Sequence, residues 1–150
     1  MITEVLWTGK AVMLFLILLM ASYSDLKSRI VSDRFSVLIL LLSIIPPKPF
    51  QVWGLFCSLP FLIAAITSGG IGGADIKIMS AAGTILGMTG GIIAMMIGLA
   101  GMLLFHGGTI IAGRLKNKKV GNACPLVPFL AVGIFTVYLS DGICIYLRTL

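Results

Sequence analysis

Residues 11–25 read "AVMLFLILLMASYSD", and this run sets the class of fold. It is uninterrupted apolar sequence that closes on an aspartate, and comparable runs recur along the whole chain. With neutral flanks, most of them reach the roughly 17–25 residues that a membrane-spanning helix needs. Hydrophobic residues make up 59% of the 150 residues and charged residues 11%, whereas a soluble domain carries about 25% charged residues. The sequence therefore predicts an all-α, polytopic membrane protein with no separate soluble domain.

About six transmembrane helices are expected, in a single domain that covers residues 1–150. They are predicted at 5–24, 34–46, 50–67, 75–88, 91–112 and 124–147. A merged helix over 75–112 would be about 57 Å long at 1.5 Å per residue, nearly twice the hydrocarbon thickness. We therefore expect "GMTGG", residues 87–91, to form a turn. Most other glycines are expected to serve close packing between helices.

The basic residues indicate which side of the membrane each loop faces. Eight of the eleven lie in the loops after the first, third and fifth predicted helices. Because cytoplasmic loops carry the excess of lysine and arginine, we expect these loops, including the basic segment 113–122, in the cytoplasm and both chain ends outside. This distribution accounts for the net charge of +6 without a nucleic-acid partner. The expected location is the cell (inner) membrane, with the lipid bilayer as surroundings.

Asp25 and Asp75 are the strongest candidates for chemistry. Asp25 closes the first predicted helix and Asp75 opens the fourth, so the topology brings both to the cytoplasmic boundary. Because burial of an ionisable group at membrane depth is costly, such a residue is a functional candidate by default. Two adjacent carboxylates that share a proton can activate a water molecule for attack on a peptide carbonyl. The sequence leaves open which aspartate carries the proton and whether the two are close without substrate.

A glycine-rich segment, "TSGGIGGADIK" at 67–77, leads into Asp75. It lacks the Lys-Ser or Lys-Thr of a phosphate-binding loop, and a bundle of membrane helices cannot hold the βαβ unit of a dinucleotide site. Helix packing remains one explanation of its small residues. The other is that they let the backbone, or an extended substrate, approach the carboxylate of Asp75. The residues concerned are Gly72, Gly73 and Ala74. Lys77 is expected on another face of the helix, as an anchor at the membrane interface.

The sequence indicates neither a metal nor a cofactor. Its three cysteines, Cys57, Cys124 and Cys144, are isolated, and there is no C-x-x-C pair. A zinc site or a redox pair is therefore unsupported. We interpret the cysteines as buried small hydrophobic residues.

At these residues the chain resembles the type IV prepilin peptidases, membrane aspartyl proteases of the G-x-G-D kind. The first motif of that family, an aspartate followed by a basic loop and Ile-Pro-Asn/Asp, matches "DLKSRIVSD" (25–33), with Ser32 in place of the proline. The second, a glycine-rich run into Asp-x-Lys, matches "GGADIK" (72–77), with Ala74 where glycine is usual. A third feature, Pro-Phe-Leu-Ala-x-Gly, matches "PFLAVG" (128–133). The motifs stand in family order across nearly the whole chain.

The resemblance implies that Asp25 and Asp75 are the catalytic pair of an aspartic-type endopeptidase, with no metal and no cofactor. The implied substrate is a type IV prepilin-like precursor with a basic leader and an apolar helix, cut at the cytoplasmic face. Such enzymes serve type IV pilus and protein secretion systems. Longer members also carry a cytoplasmic domain with paired cysteines and methylate the new N-terminus, so a short, peptidase-only form is the expectation here.

Two other classes of protein stay open at this point. A small transporter or channel component would use the two aspartates as proton or cation ligands. It would also have paired sequence halves or further acids along a path, and the sequence has neither. A non-catalytic subunit of a pilus or secretion assembly would tolerate replacement of the aspartates. The identity of the precursor, the segment that gates access, and the oligomeric state, a homo-oligomer included, are not determined by the sequence.

Overall fold

A computed structural model of the chain describes residues 2–28, 31–45, 51–68, 72–115 and 125–149. Within these ranges there is no β-strand, and helices account for nearly all of the backbone. The helices are α1 (Ile2–Ser28), α2 (Asp33–Ile44), a 3-10 helix (Val52–Ser58), α3 (Leu59–Ser68), α4 (Gly73–Leu115) and α5 (Val127–Thr149). The predicted all-α class is confirmed.

Three stretches in the described part of the chain are long and apolar enough to cross a membrane. They are Val5–Ser28, Gly73–Ile111 and Val127–Cys144, and the apolar stretch Val52–Thr67 is shorter. With 12 residues, α2 is about 18 Å long, whereas the hydrocarbon core of a bilayer is about 30 Å thick. A helix lies within each of the six predicted segments, but the structure does not give each of them the length of a full span.

The turn predicted over 87–91 is wrong in its extent. Only Gly87 departs from helical geometry, and residues 88–91 are helical. Gly87 has φ 77° and ψ 176°, a conformation that essentially only glycine adopts. Consequently α4 consists of two arms, 73–86 and 88–115, joined at one residue, and these arms correspond to the fourth and fifth predicted helices.

Glycines sit at several close contacts between helices, as expected from the sequence. A Cβ atom on Gly54 in the 3-10 helix would overlap the backbone of Gly83 in α4, and one on Gly133 in α5 would overlap the backbone of Ala94 in α4. Small residues let the helix backbones approach closely at these points. Gly69, Gly70 and most of the predicted basic loop lie outside the described residues.

The cysteines follow their predicted burial only in part. Cys57 is buried, whereas Cys144 is exposed, so the prediction is wrong for Cys144. Cys124 lies outside the described residues.

Four of the helices form a ring. α1 packs against α2 and α5, and α4 packs against the same two helices. Over the described ranges, no Cα atom of α1 comes within 8 Å of one in α4, so the two helices that carry the aspartates face each other diagonally. The 3-10 helix and α3 contact only α4 and each other among these elements. They therefore add to the outside of α4 and take no part in the ring.

α1 and α5 run antiparallel along their length. Near one end the rings of Trp7 and Tyr138 stack with centroids 5.4 Å apart. Further along, the rings of Phe15 and Phe135 lie 4.9 Å apart. This register brings the last turn of α1 beside the first turn of α5.

Lys10 ties α2 to α1 at the end of the bundle opposite the aspartates. Its side chain is 4% exposed, and Nζ donates a hydrogen bond of 2.8 Å to the carbonyl oxygen of Ile45, directly after α2. A helix leaves its last carbonyl groups without internal partners, and its C-terminal end favours a cation. The contact shows how the short α2 ends within the bundle.

Candidate functional site

Asp75 lies in the first turn of α4 and is 9% exposed. Its backbone N–H donates to the carbonyl oxygen of Gly72 at 3.1 Å. The first N–H groups of a helix have no internal partners, and the positive end of the helix dipole lies there, so a carboxylate is favoured at this position. The start of α4 thus gives Asp75 polar surroundings within otherwise apolar sequence.

The three small residues before Asp75 differ in their relation to its side chain. A Cβ atom on Gly72 would lie 3.3 Å from Oδ2 of Asp75, whereas one on Gly73 would meet no atom within 4 Å among the described residues outside its own helix backbone. Ala74 is half-buried and packs against the hydrophobic core. Close approach to the carboxylate is therefore made by Gly72.

Asp25 lies in the last turn of α1 rather than at its end, because the helix continues to Ser28. Its side chain is 9% exposed. Oδ2 accepts a hydrogen bond of 3.2 Å from the backbone N–H of Val127, the first residue of α5. The carboxylate therefore serves as the cap of a helix that begins about a hundred residues later in the sequence.

The two aspartates interact across the ring of helices. Their carboxylates influence each other electrostatically, although no Cα atom of α1 lies within 8 Å of one in α4 over the described ranges. The packing of α2 and α5 between α1 and α4 sets this approach. The structure thus brings together the two residues that the sequence singled out, and both are almost fully buried.

Lys77 forms an ion pair at the rim of the site, which the sequence reasoning missed. Its Nζ lies 2.6 Å from Oδ2 of Asp33, the first residue of α2, with the two side chains 54% and 67% exposed. An exposed pair contributes about 0–1 kcal/mol to stability, so its main effect is to link α2 to α4 at this end. The available signal was Asp33 itself, an acid at a helix start within the first motif.

The contact between Val127 and Asp25 was also missed. The last helix was predicted over 124–147 and begins at Val127, but nothing in the sequence pattern indicates which side chain would accept the N–H groups of its first turn. Only the packing of α5 against α1 identifies Asp25 as that acceptor.

This arrangement provides two buried carboxylate groups for chemistry. Such a pair can hold one proton between its members and pass it to or from a bound molecule. Within the described ranges, no three His, Cys, Asp or Glu side chains come together as a metal site would need.

Comparisons with known proteins match the same part of the chain. A family model described as the type IV leader peptidase family matches residues 12–107, which include Asp25, Asp75 and Lys77. A prepilin leader peptidase/N-methyltransferase of Bacillus subtilis (strain 168) is 33% identical over 78 residues. That match covers 52% of this chain and 30% of the length of the relative. No solved structure matches the chain.

Proposed function

Because the chain belongs to the type IV leader peptidase family, we propose that Asp25 and Asp75 form the catalytic pair of an aspartic-type endopeptidase. The observation that carries the proposal is the electrostatic interaction of two buried carboxylates whose helices, α1 and α4, are not neighbours in the ring. Burying charged groups costs several kcal/mol each unless they are compensated. A fold that brings two of them together without a chemical use would be unfavourable.

The proposed reaction is hydrolysis of one peptide bond. In the proposed reaction the pair shares one proton, because nearby like charges disfavour each other's ionisation. The ionised carboxylate accepts a proton from a water molecule as the water oxygen attacks the scissile carbonyl. The protonated carboxyl then supplies a proton to the leaving nitrogen as the C–N bond breaks. The products are a new carboxyl group and a new amino terminus, and the pair again holds one proton.

The proposed substrate is a type IV prepilin-like precursor with a basic leader followed by an apolar helix. The name of the Bacillus subtilis relative supports this class of substrate. The scissile bond must leave its helix before attack, because a helical peptide keeps its carbonyl groups in internal hydrogen bonds. The absence of a side chain at Gly72, where a Cβ would lie 3.3 Å from Oδ2 of Asp75, suits the approach of an extended segment to Asp75.

We place the cleavage at the cytoplasmic face of the cell (inner) membrane, in one transmembrane domain over residues 1–150. The support is the positive-inside rule, since eight of the eleven basic residues fall in loops that the predicted topology puts on the same side as the aspartates. Lipid surrounds the protein in this arrangement, both chain ends lie outside, and a homo-oligomer stays open. The roles in pilus assembly and secretion belong to the same proposal.

The experiment compares substitutions of three aspartates in membrane vesicles. The substrate is a synthetic precursor with a lysine-containing leader that ends in glycine, followed by an apolar helix. We expect Asp25→Asn and Asp75→Asn each to lower the cleavage rate by roughly 10³-fold or more, the scale on which loss of one member of a catalytic set acts. Asp141→Asn, in the other half of α5, is the matched control and should cleave like wild type.

The same set of variants separates the rival classes. Full cleavage by the Asp25→Asn or Asp75→Asn variant, with the protein inserted at normal levels, would contradict the proposed catalytic role of the pair. A wild-type protein that leaves the precursor intact but moves protons or cations, and loses this transport in both variants, would instead be a transporter component. Normal pilus or secretion function in both variants would point to a non-catalytic subunit.

A further inference from the structure

We propose that the backbone N–H of Val127 is a positioning group of the aspartate pair. It donates a hydrogen bond to one carboxylate oxygen of Asp25, so that the other oxygen faces the reacting water and peptide. The inference rests on the proposed function, and it adds α5 to a site whose side chains come from α1 and α4.

The first turn of α5 leaves one backbone donor for a partner outside the helix. Pro128 has no N–H. The N–H groups of Phe129 and Leu130 both donate to the carbonyl oxygen of Leu126, each at 3.1 Å. In this turn, as the structure describes it, the N–H of Val127 is the donor that remains. Val127 is 1% exposed, so water has little access and the donor needs a partner from the protein.

The partner is a group that the proposed reaction uses. Helices are usually capped by a Ser, Thr, Asp or Asn side chain that directly precedes them, but Pro125 and Leu126 carry no such group. Oδ2 of Asp25 accepts the N–H instead, at 3.2 Å and in a buried setting. Hydrogen bonds to a carboxylate are stronger and more directional than those between neutral groups.

This bond fixes the carboxylate in a way that α1 cannot. Asp25 lies in the last turn of α1, and the last turns of helices fray. A bond from α5 transfers the orientation of the carboxylate to a helix that is packed tightly on α4, where a Cβ on Gly98 would lie 3.0 Å from Leu130. The segment "PFLAVG" then has a physical role. Its proline has no N–H, so no donor beside Val127 competes with the N–H of Val127 for the carboxylate of Asp25.

The kinetic test removes this N–H and little else. Val127→Pro deletes the donor at a helix position where proline is favoured, and Val132→Ala, at an exposed position of α5, is the control that keeps it. With the precursor and vesicles described above, we expect the proline variant to lose roughly 10- to 100-fold in kcat with KM almost unchanged. The alanine variant should keep kcat and KM within about 3-fold of wild type. Replacing Val127 by its α-hydroxy acid analogue, which puts an ester oxygen in place of the N–H, should reproduce the proline result.

A second measurement reads the contact without cleavage. Thermal unfolding of wild type, Val127→Pro, Asp25→Ala and the double variant forms a cycle. We expect Val127→Pro to lower the midpoint by roughly 2–4 °C more in wild type than in the Asp25→Ala background.

The outcomes separate this proposal from the proposed function. Full cleavage by both the proline and the ester proteins overturns the positioning role, and equal midpoint shifts in the two backgrounds overturn the contact. A wild-type protein that leaves the precursor intact overturns the peptidase function, and the positioning role in catalysis falls with it. The thermal cycle still reports in that case whether Val127 holds Asp25.

Discussion

At the scale of single residues, each carboxylate of the pair lies beside the first turn of a helix: α4 for Asp75 and α5 for Asp25. Asp75 lies in the first turn of α4, and Asp25 caps α5 through Val127. A helix N-terminus stabilises a negative charge by about 0.3–1 kcal/mol at the surface and by up to about 2 kcal/mol when partly buried. Two helix starts pointed at one site therefore offset part of the cost of burying two acids so close together.

The pair Gly72 and Gly73 tests this local geometry. Gly72→Ala would place a methyl group 3.3 Å from Oδ2 of Asp75, so the carboxylate must shift. We expect kcat/KM for precursor cleavage to fall roughly 3- to 10-fold, since reacting groups tolerate little misplacement. Gly73→Ala puts its methyl group in open space and should stay within about 2-fold of wild type. Equal losses in the two variants would show that contact with Asp75 is not the cause.

At the scale of elements, the break in α4 lies where this helix packs against the 3-10 helix. A break leaves carbonyl groups without their partners in the helix, and the carbonyl oxygen of Thr84 accepts the N–H of Gln51 at 3.2 Å. The thiol of Cys57 donates to the carbonyl oxygen of Met88 at 3.2 Å. A Cβ atom on Gly87 would collide with the side chain of Gln51. The 3-10 helix thus stabilises the break, which in turn requires glycine.

Alanine substitutions at two glycines of α4 test whether the break matters for stability. Gly87→Ala forces a side chain into a strained backbone conformation against Gln51, so we expect a loss of about 2–4 kcal/mol in the free energy of unfolding. Gly108→Ala adds a methyl group that meets no atom within 4 Å among the described residues outside its own helix backbone, and should gain up to about 1 kcal/mol. Thermal unfolding in detergent micelles measures both. Equal stability of the two variants would mean that the break is not fixed at Gly87.

At the scale of the whole molecule, a ring of four helices exposes apolar side chains on its outside and holds two acids within. Most exposed side chains in the middle of α1 are apolar, among them Phe15, Leu16, Leu19 and Met20. On a soluble protein such a surface would be an association site, whereas in a bilayer it is the favoured one. α1 has 27 residues, about 40 Å at 1.5 Å per residue. Its two ends can therefore lie on opposite sides of a membrane.

Thiol labelling at the two ends of α1 tests the proposed orientation. Val5 and Ser28 are both exposed, and each is changed to cysteine in a protein whose three native cysteines are replaced. In intact cells with a permeabilised outer layer, we expect a membrane-impermeant maleimide to label the Val5→Cys protein at once. The Ser28→Cys protein should react only after the inner membrane is opened, because positive loops stay in the cytoplasm. The reverse pattern would place the aspartates on the outer face and contradict cytoplasmic cleavage.

Much of the fold could be predicted because its signals are local. The length of an apolar run decides whether a segment can span a bilayer, and so the all-α membrane class and the order of six helical segments were predictable. The three motifs led to the family that the comparison over 12–107 confirms. Helix ends were less predictable. The turn predicted at 87–91 is a single non-helical residue, Gly87, in the structure, because hydrogen bonds from Gln51 and Cys57 satisfy carbonyl groups on either side of it.

For the site, the identities of Asp25 and Asp75 were readable from the chain, since an acid in apolar sequence is expensive and therefore conspicuous. Their meeting across a ring, the N–H of Val127 on Asp25, and the pairing of Lys77 with Asp33 came only from the packed structure. Each of these contacts joins residues that are more than 40 positions apart. Apolar periodicity predicts which face of a helix is buried. It does not predict which helix packs against that face or in what register the two helices pack. Those choices follow from how side chains of all the helices fill one common space, and that information is spread over the whole sequence.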